Sequence, residues 1–458
     1  MRLGIARTAT ATMTAALAVA MAAPAAPPRY IASAVSTLQH NCNPAYPNSF
    51  APAVATAISA DGRVLGEANC GSTTGGSRPF VTMPSGQIDQ LPHGTFSFTK
   101  PVAFLDGSRV LMLGDWCPPV TGSCTTALAV GTTGGALEVL AASSSLASVV
   151  NASNEFGWAV GWGGVSATDA WRLRPDGTLD QLSLANAWGL SAEGVAPNGV
   201  TAGSGYLGSL GVAIRWDTDG HGAILASVEP GTSAMGLGTG MDGSVVGSSN
   251  GRAAYWPSAG GVVSLMPVGS ASEATHLAGN PLGADPIGAW IFGTHGNHQR
   301  VFRSSLGGQS QDLGNGSLLT VVMTNMQVIK APHPLFCVAT VLDPSYQPIP
   351  LVWTADSSLL PLATLVVNPP SGLGHFLIID ANASGDILCN ATYNSTPYVF
   401  KRLAEGDTDG DGHVTGADLT RVIAAWGPAT SQRNAADFDG NGIIDASDLS
   451  VVLSAWGQ

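Results

Sequence analysis

The sequence predicts an all-β chain, a β-propeller of seven or eight four-stranded blades, followed by a small α-helical module. Three observations carry that prediction. Glycine fills 58 of 458 positions while charged residues make up only 11%, which argues against a helical protein, and 45% hydrophobic residues is too many for general disorder. A strand-like pattern recurs through the middle of the chain at a period of about 46 residues. Residues 405–458 hold 9 of the 31 acidic residues and 2 of the 18 basic ones, so they carry −7 of the net −13. That local surplus points to a cation site rather than to a solvated surface. The overall charge excludes a general basic nucleic-acid surface.

The N-terminus has Arg2 and Arg7, an alanine-rich apolar stretch to Ala23, then Pro24, Pro27 and Pro28. A basic segment, a short apolar run and small residues in A-x-A spacing read as a secretory signal over residues 1–25, cleaved after Ala22 or Ala25. The run is shorter than the ~20 residues that span a bilayer. The mature chain is therefore expected to be secreted or cell-surface associated, with no membrane span.

The recurring unit over residues 30–403 begins with a short aliphatic strand ending in glycine, at Gly66, Gly114, Gly161, Gly203, Gly247 and Gly293. Two further copies put Cys337 and Cys389 in that slot. A residue without a side chain lets a neighbouring sheet or a bulky indole approach, and cysteine is the next small buried residue. A second hairpin follows each copy, as in AWRLRPDGTLDQL and AIRWDTDGHGAIL, with Asx-Gly or Gly-Gly turns that supply positive φ. Four short strands per 40–50 residues, repeated, make propeller blades. The last repeat stops at Phe400 without a fourth strand, and Tyr30–Val35 is placed to supply it, which closes the ring and removes an exposed edge.

The pattern of an Asx-Gly turn, V-x-G and a strand ending in tryptophan resembles the bacterial extracellular HAF repeats. Trp216, Trp256 and Trp353 stand at its last position, while Thr82 and Phe400 depart from it. The resemblance implies a secreted protein and no defined activity.

Six cysteines in an exported chain fit disulfides. Cys117 with Cys124 is the easiest pair. Cys42 with Cys70 would tie the N-terminal segment to the first repeat, and Cys337 with Cys389 would either bond across a blade interface or stay as two buried thiols.

The strongest motif occurs twice, 30 residues apart. The first copy offers Asp407, Asp409, Asp411, His413, Thr415 and Asp418, and the second Asp437, Asp439, Asn441, Ile443, Asp445 and Asp448, at loop positions 1, 3, 5, 7, 9 and 12. His413 and Ile443 would serve through their carbonyls. Gly412 and Gly442 stand at position 6, where the loop turns sharply. This is the EF-hand ligand spacing, and calcium needs about 6–8 hard oxygen ligands, so two Ca2+ ions are expected. Leu419, Val422, Ile423 and Trp426 follow the first loop, and Leu449, Val452, Leu453 and Trp456 the second, each set as one helical stripe.

A duplicated loop and helix with Asp at position 12 and no helix before the first loop resembles the type I dockerin, over residues 406–458. The resemblance implies calcium-dependent folding and docking to a cohesin-like protein. The family's recognition positions fall on Gly416-Ala417 and Ala446-Ser447, which lack the hydroxyl pairs of cellulosomal dockerins.

No catalytic constellation emerges. The G-x-G-x-x-G matches at Gly203 and Gly238 open no helix, and Gly247–Gly251 reads as a turn between strands rather than a nucleophile elbow. Asp217-Thr-Asp219-Gly-His221 reads as a hairpin turn, and His295 with His298 as a solvated loop lacking a third metal ligand. The sequence thus reads as an exported binding or structural propeller carried by a calcium-binding docking module, with an extracellular glycan or protein as the propeller's partner. Indoles at Trp116, Trp158, Trp162, Trp188 or Trp290 could stack on sugars. The alternative is a carbohydrate-active hydrolase or lyase in polysaccharide catabolism, recruited to an assembly by the dockerin.

Overall fold

Alternating apolar residues between Asx-Gly turns fold into short antiparallel meanders, because each turn glycine adopts the positive φ that a tight hairpin needs: Gly62 at 80°, Gly199 at 87° and Gly243 at 81°. The computed structural model describes residues 28–457 except 36–52, 70–76, 430–434 and a set of inter-strand loop residues, the longest being 279–289, 315–321 and 328–335. The proposed signal segment and the pairing of Cys42 with Cys70 lie outside the described residues.

Among the described residues, eight four-stranded antiparallel sheets succeed one another along the chain. Blade 1 runs from Ala53 to Gln90, blade 2 from Phe96 to Ala142, blade 3 from Val149 to Leu182 and blade 4 from Trp188 to Ile224. Blade 5 spans Ala234 to Ser264, blade 6 Ser272 to Gly314 and blade 7 Val322 to Pro361. Blade 8 takes three strands from Phe376 to Arg402, and its outer strand, Tyr30–Ala34, comes from the N-terminal end of the chain. Tyr30 pairs with Arg402 and Ala34 with Tyr398. A β-propeller is the architecture.

Every blade carries a bulge on its first strand. The glycine slot faces that bulge in blades 1, 3, 4, 5 and 6, and Cys389 faces it in blade 8. A Cβ at Gly66 would lie 2.7 Å from both the Val54 carbonyl and the Phe80 ring, and one at Gly203 2.8 Å from the Trp216 indole. In blades 1, 3, 4 and 6 a first-strand carbonyl beside the bulge and an aromatic ring of the third strand converge on the slot, and in blade 5 the first-strand backbone at Met235 fills it. In blade 2 the bulge faces Met112 instead of Gly114, and in blade 7 Val341 instead of Cys337, so the sequence repeat places the slot wrongly in those two blades. An extended strand with apolar residues on both faces gives no sequence mark of where its bulge falls.

Cys117 and Cys124 form a disulfide. Cys389 is a buried free thiol, which corrects the proposed bond to Cys337; burial pushes its thiol well above the usual value. Offset by four residues from the bulge position of its own blade, Cys337 is not the structural counterpart of Cys389.

Adjacent blades share apolar clusters. Val110 and Met112 of blade 2 pack with Leu65 and Val81 of blade 1, and Val160 and Leu182 of blade 3 with Ile214 and Trp216 of blade 4. Arg303 of blade 6 lies 4.8 Å from the Trp353 ring of blade 7. Arg172 of blade 3 is fully buried; it pairs with Asp180 at 2.9 Å and donates to the carbonyls of Gly199, Asp217 and Thr218 in blade 4. The seam between blades 8 and 1 joins Ala55, Ile58 and Val64 to Leu388 and adds polar bonds: Asn390 both accepts from and donates to the Ala55 backbone at 3.2 Å, Asp380 accepts from Ile58 N at 3.0 Å, and Asn382 donates to Ser59 O. Among the described residues no helix is long and apolar enough to cross a membrane.

Candidate calcium centre

After Arg402 the chain turns directly into the first acidic loop, and the two helices that follow the loops are α2 (Gly416–Ala424) and α3 (Ala446–Ser454), a short α1 (Leu362–Leu365) belonging to blade 7. Gly412 and Gly442, at position 6, have φ of 92° and 82°, the left-handed turn the spacing required.

In each loop the aspartates at positions 1, 3 and 12 converge. One oxygen from each of Asp407, Asp409 and Asp418 lies within 4.8 Å of the others, and Asp437, Asp439 and Asp448 repeat the arrangement. Asp407, Asp418, Asp437 and Asp448 are at most 3% exposed. The loops are folded around these carboxylates by their own backbone. Asp407 accepts from Gly410 N at 2.6 Å with one oxygen and from Gly412 N at 3.0 Å with the other, and Asp437 accepts from Gly442 N at 3.0 Å.

Position 12 is a brace between loop and helix. Asp418 accepts from Thr408 N at 2.8 Å with one oxygen and from Thr415 N at 2.8 Å with the other. Asp448 does the same with Phe438 N at 2.6 Å and Asp445 N at 2.9 Å. Burial works to raise the Asp418 carboxyl, but the hydrogen bonds from Thr415 and Thr408 together hold it below the usual carboxylate value. Thr415 and Asp445, at position 9, cap α2 and α3 through Ala417 N and Ser447 N. The capping box was readable from Thr415-x-x-Asp418 and Asp445-x-x-Asp448, a signal that the ligand spacing hid. Asp411 and Asn441, at position 5, are exposed and accept from His413 N and Ile443 N. The backbones of His413 and Ile443 lie on the rim beside them.

The donor set fits a hard cation. Two carboxylates about 4 Å apart at an effective dielectric near 20 repel by roughly 4 kcal/mol, and three converge in each loop. The cationic side chain that reaches the first triad is Arg421, 3.6 Å from Asp409 and itself more than half exposed. A carboxylate has about four lone-pair sites, so the backbone bonds leave acceptor capacity for a metal. By contrast Asp217, Asp219 and His221 are all exposed, and Asp217 Oδ1 accepts from Asp219 N and His221 N as a hairpin turn does. His298 lies outside the described residues.

The helical stripes divide. Val422 and Val452 are fully buried in a core with Val414, Ala436, Phe438, Ile444 and Ala455, and Leu419 and Leu449 pack against it. Ile423, Trp426, Leu453 and Trp456, taken as part of the same stripe, are 56%, 52%, 55% and 48% exposed. A core this small can cover only half of each stripe.

On the propeller, Trp116, Trp158 and Trp162 are partly buried, and Trp188 is exposed. Trp188 stacks on Tyr206 with ring centroids 4.8 Å apart, its indole nitrogen donating to Gly208 O at 3.1 Å. The side chain of Trp290 lies outside the described residues.

The dockerin type I domain model matches residues 405–454. Among solved structures, a streptogramin B lyase is 10% identical, covering 82% of this chain and 98% of its own at a TM-score of 0.38. The BP39L lectin from Burkholderia pseudomallei is 12% identical, with coverages of 68% and 97% and a TM-score of 0.38. The β-propeller domain of the Trilobed protease from Pyrococcus furiosus is 9% identical, with the same coverages and TM-score. At TM-scores this low they assign neither substrate nor activity. Comparison with curated proteins finds no match. With the two triads, the capped helices and the family match together, a type I dockerin domain occupies residues 405–454 at the end of a β-propeller chain.

Proposed function

We propose that this is an exported protein in which a two-ion calcium module docks a binding propeller to a cohesin-like partner on an extracellular scaffold or cell surface. Asp407, Asp409, Asp411, Thr415 and Asp418, with the His413 carbonyl, would hold one ion. Asp437, Asp439, Asn441, Asp445 and Asp448, with the Ile443 carbonyl, would hold the other. The ions supply charge neutralisation that lets the buried carboxylates pack. The chain's own residues supply the brace to the helices and the exposed face.

The observation that carries the reading is the duplication of that face. Ile423 with Trp426 and Leu453 with Trp456 leave the same apolar pair exposed 30 residues apart. A repeated exposed apolar surface marks an interaction site rather than scattered surface residues. Gly416, Ala417, Ala446 and Ser447 beside it are small and exposed, so the partner would meet close apolar contact with little hydroxyl bonding.

The test is capture from the producer's envelope fraction by the full chain, with calcium and with chelator, the captured protein being identified by mass. A cohesin-type protein held only with calcium, and lost with Ile423→Asp/Leu453→Asp, supports the reading; calcium-independent or absent capture overturns it. For the propeller, the exposed Trp188–Tyr206 stack favours a glycan over a protein. Retention on immobilised polysaccharide without turnover is expected, and Trp188→Ala should abolish it. Release of reducing ends would instead favour the hydrolase or lyase alternative.

A further inference from the structure

The dockerin domain does not hang from its linker: both of its loops rest on blade 8. Ile31 of that blade, with Val367 just before it and Leu403 just after it in the chain, forms an apolar cluster with Ala435, the residue two places before the second loop. Lys401 donates to the Gly410 carbonyl in the first loop at 2.6 Å, and Gly410 itself lies directly over the Ile31 side chain.

The second loop is gripped by Arg29, the residue that leads into the ring-closing strand. Its guanidinium donates to Ala435 O at 2.5 Å and to Asp437 O at 3.3 Å, and lies 4.2 Å over the Phe438 ring. Its own carbonyl accepts from Leu403 N at 2.9 Å, which extends the pairing of Tyr30–Ala34 with Pro397–Arg402 by one step. One residue therefore bonds the seam of the ring with its backbone and the entry to the second loop with its side chain. Burial lowers the guanidinium to about 10, with Asp437, Asp448, Asp407 and Glu405 pulling the other way, so it stays charged at neutral pH.

Two details suit Arg29 to position the loop without competing for the ion. It donates to main-chain carbonyls, those of Ala435 and Asp437. And Phe438, on which it stacks, carries the backbone N–H that binds Asp448 at position 12. Any adjustment of Asp437 and Asp448 around an ion therefore moves groups that Arg29 holds.

We propose that Arg29 is a positioning residue that couples calcium occupancy of the second loop to closure of the propeller ring. The proposal rests on the calcium reading above and extends it to the propeller. By linkage the coupling is reciprocal: calcium steadies the ring-closing strand, and the closed ring favours calcium at the second loop.

The test uses the full mature chain, with amide hydrogen exchange of residues 30–34 and 397–402 measured in calcium and in chelator. Exchange in blade 4 serves as the internal reference, and calcium stoichiometry is measured by calorimetry on the same samples. The wild type is expected to bind two ions and to slow exchange at the seam on the order of tenfold, the most that calcium at about ten times its dissociation constant can transmit, with blade 4 unchanged. Arg29→Ala should keep blade 4 protected and lose the calcium effect at the seam, to within about twofold. Phe438→Leu, which keeps the two carbonyl bonds but not the ring, should retain part of it. Calcium protection of the seam that is equal in Arg29→Ala and wild type overturns the proposal, as does wild-type calcium binding without seam protection. If the wild type binds no calcium at all, the calcium reading fails as well, and the stoichiometry tells the two failures apart.

Discussion

In blade 4 the fully buried side chains are Ala192, Ala202, Ala213, Ile214 and Trp216 with one hydroxyl, Thr201, whereas in the dockerin domain Asp407, Asp418, Asp437 and Asp448 are buried beside Val422 and Val452. The two regions share one chain and solve opposite problems. Among the described residues, neighbouring blades bury apolar area against one another in shared clusters, a core built without buried carboxylate triads. The dockerin domain has about 50 residues, too few for a sufficient apolar core, and it folds its backbone onto carboxylates instead. Where burial is apolar, stability is built in; where it is anionic, stability is expected to depend on a cation.

Removing calcium should break the comparison most visibly. Chelator is expected to abolish amide protection and helical signal over 416–424 and 446–454 while the blades stay protected, since a core of this size supplies no more than ~3–5 kcal/mol. Asp418→Ala with Asp448→Ala should do the same at saturating calcium. Retention of both helices in chelator would show that the small core suffices and would equate the two regions.

Arg172→Ala comes next, because it empties a buried position between blades 3 and 4 and leaves the Thr218 carbonyl without its donor, while Asp180 keeps Arg174 and the Gly199 and Asp217 carbonyls keep Thr201 and Gly220 N. A loss of roughly 1.5–3 kcal/mol, that of charged hydrogen bonds, is expected in denaturant unfolding of the propeller, with calcium affinity unchanged. Gly161→Val tests the bulge slot, where a Cβ would already lie 2.6 Å from the Trp171 indole. It should cost roughly 1–3 kcal/mol; a neutral result would mean the slot relaxes.

The smallest effect is on acid stability. Burial works to raise the Asp106 carboxyl, but hydrogen bonds from Ser108 and Arg109 outweigh it and bring it to about 2. A carboxyl lowered in the folded state adds stability that is fully present above its ordinary range near 4 and is lost as pH falls through about 2. Asp106→Asn should therefore lower the propeller's stability at pH 7 slightly and leave it unchanged below about pH 2, flattening the acid unfolding profile by that small amount because the pair with Arg109 is partly exposed.

The propeller class was legible because its signals are local and periodic. Asx-Gly turns fix hairpins, and a repeat near 46 residues fixes a blade. The strand that closes the ring was legible too, from the missing fourth strand after Phe400. The triads were readable at positions 1, 3 and 12, since EF-hand spacing is a property of one short loop. What stayed hidden depends on contacts between distant residues. No local mark separates Gly114 from Met112 as the bulge partner, Cys337 and Cys389 look equivalent until register is set, and the buried Arg172 reads as an ordinary strand residue.

The strand and turn pattern, the duplicated acidic loops and the helices after them follow from neighbours within a dozen residues and are written in the sequence. Which half of each helical stripe is covered, where each bulge falls, and that Arg29 meets Ala435 and Asp437 some four hundred positions away emerge from the folded chain alone. Those outcomes turn on packing and on the pairing of chain ends, which backbone periodicity does not encode.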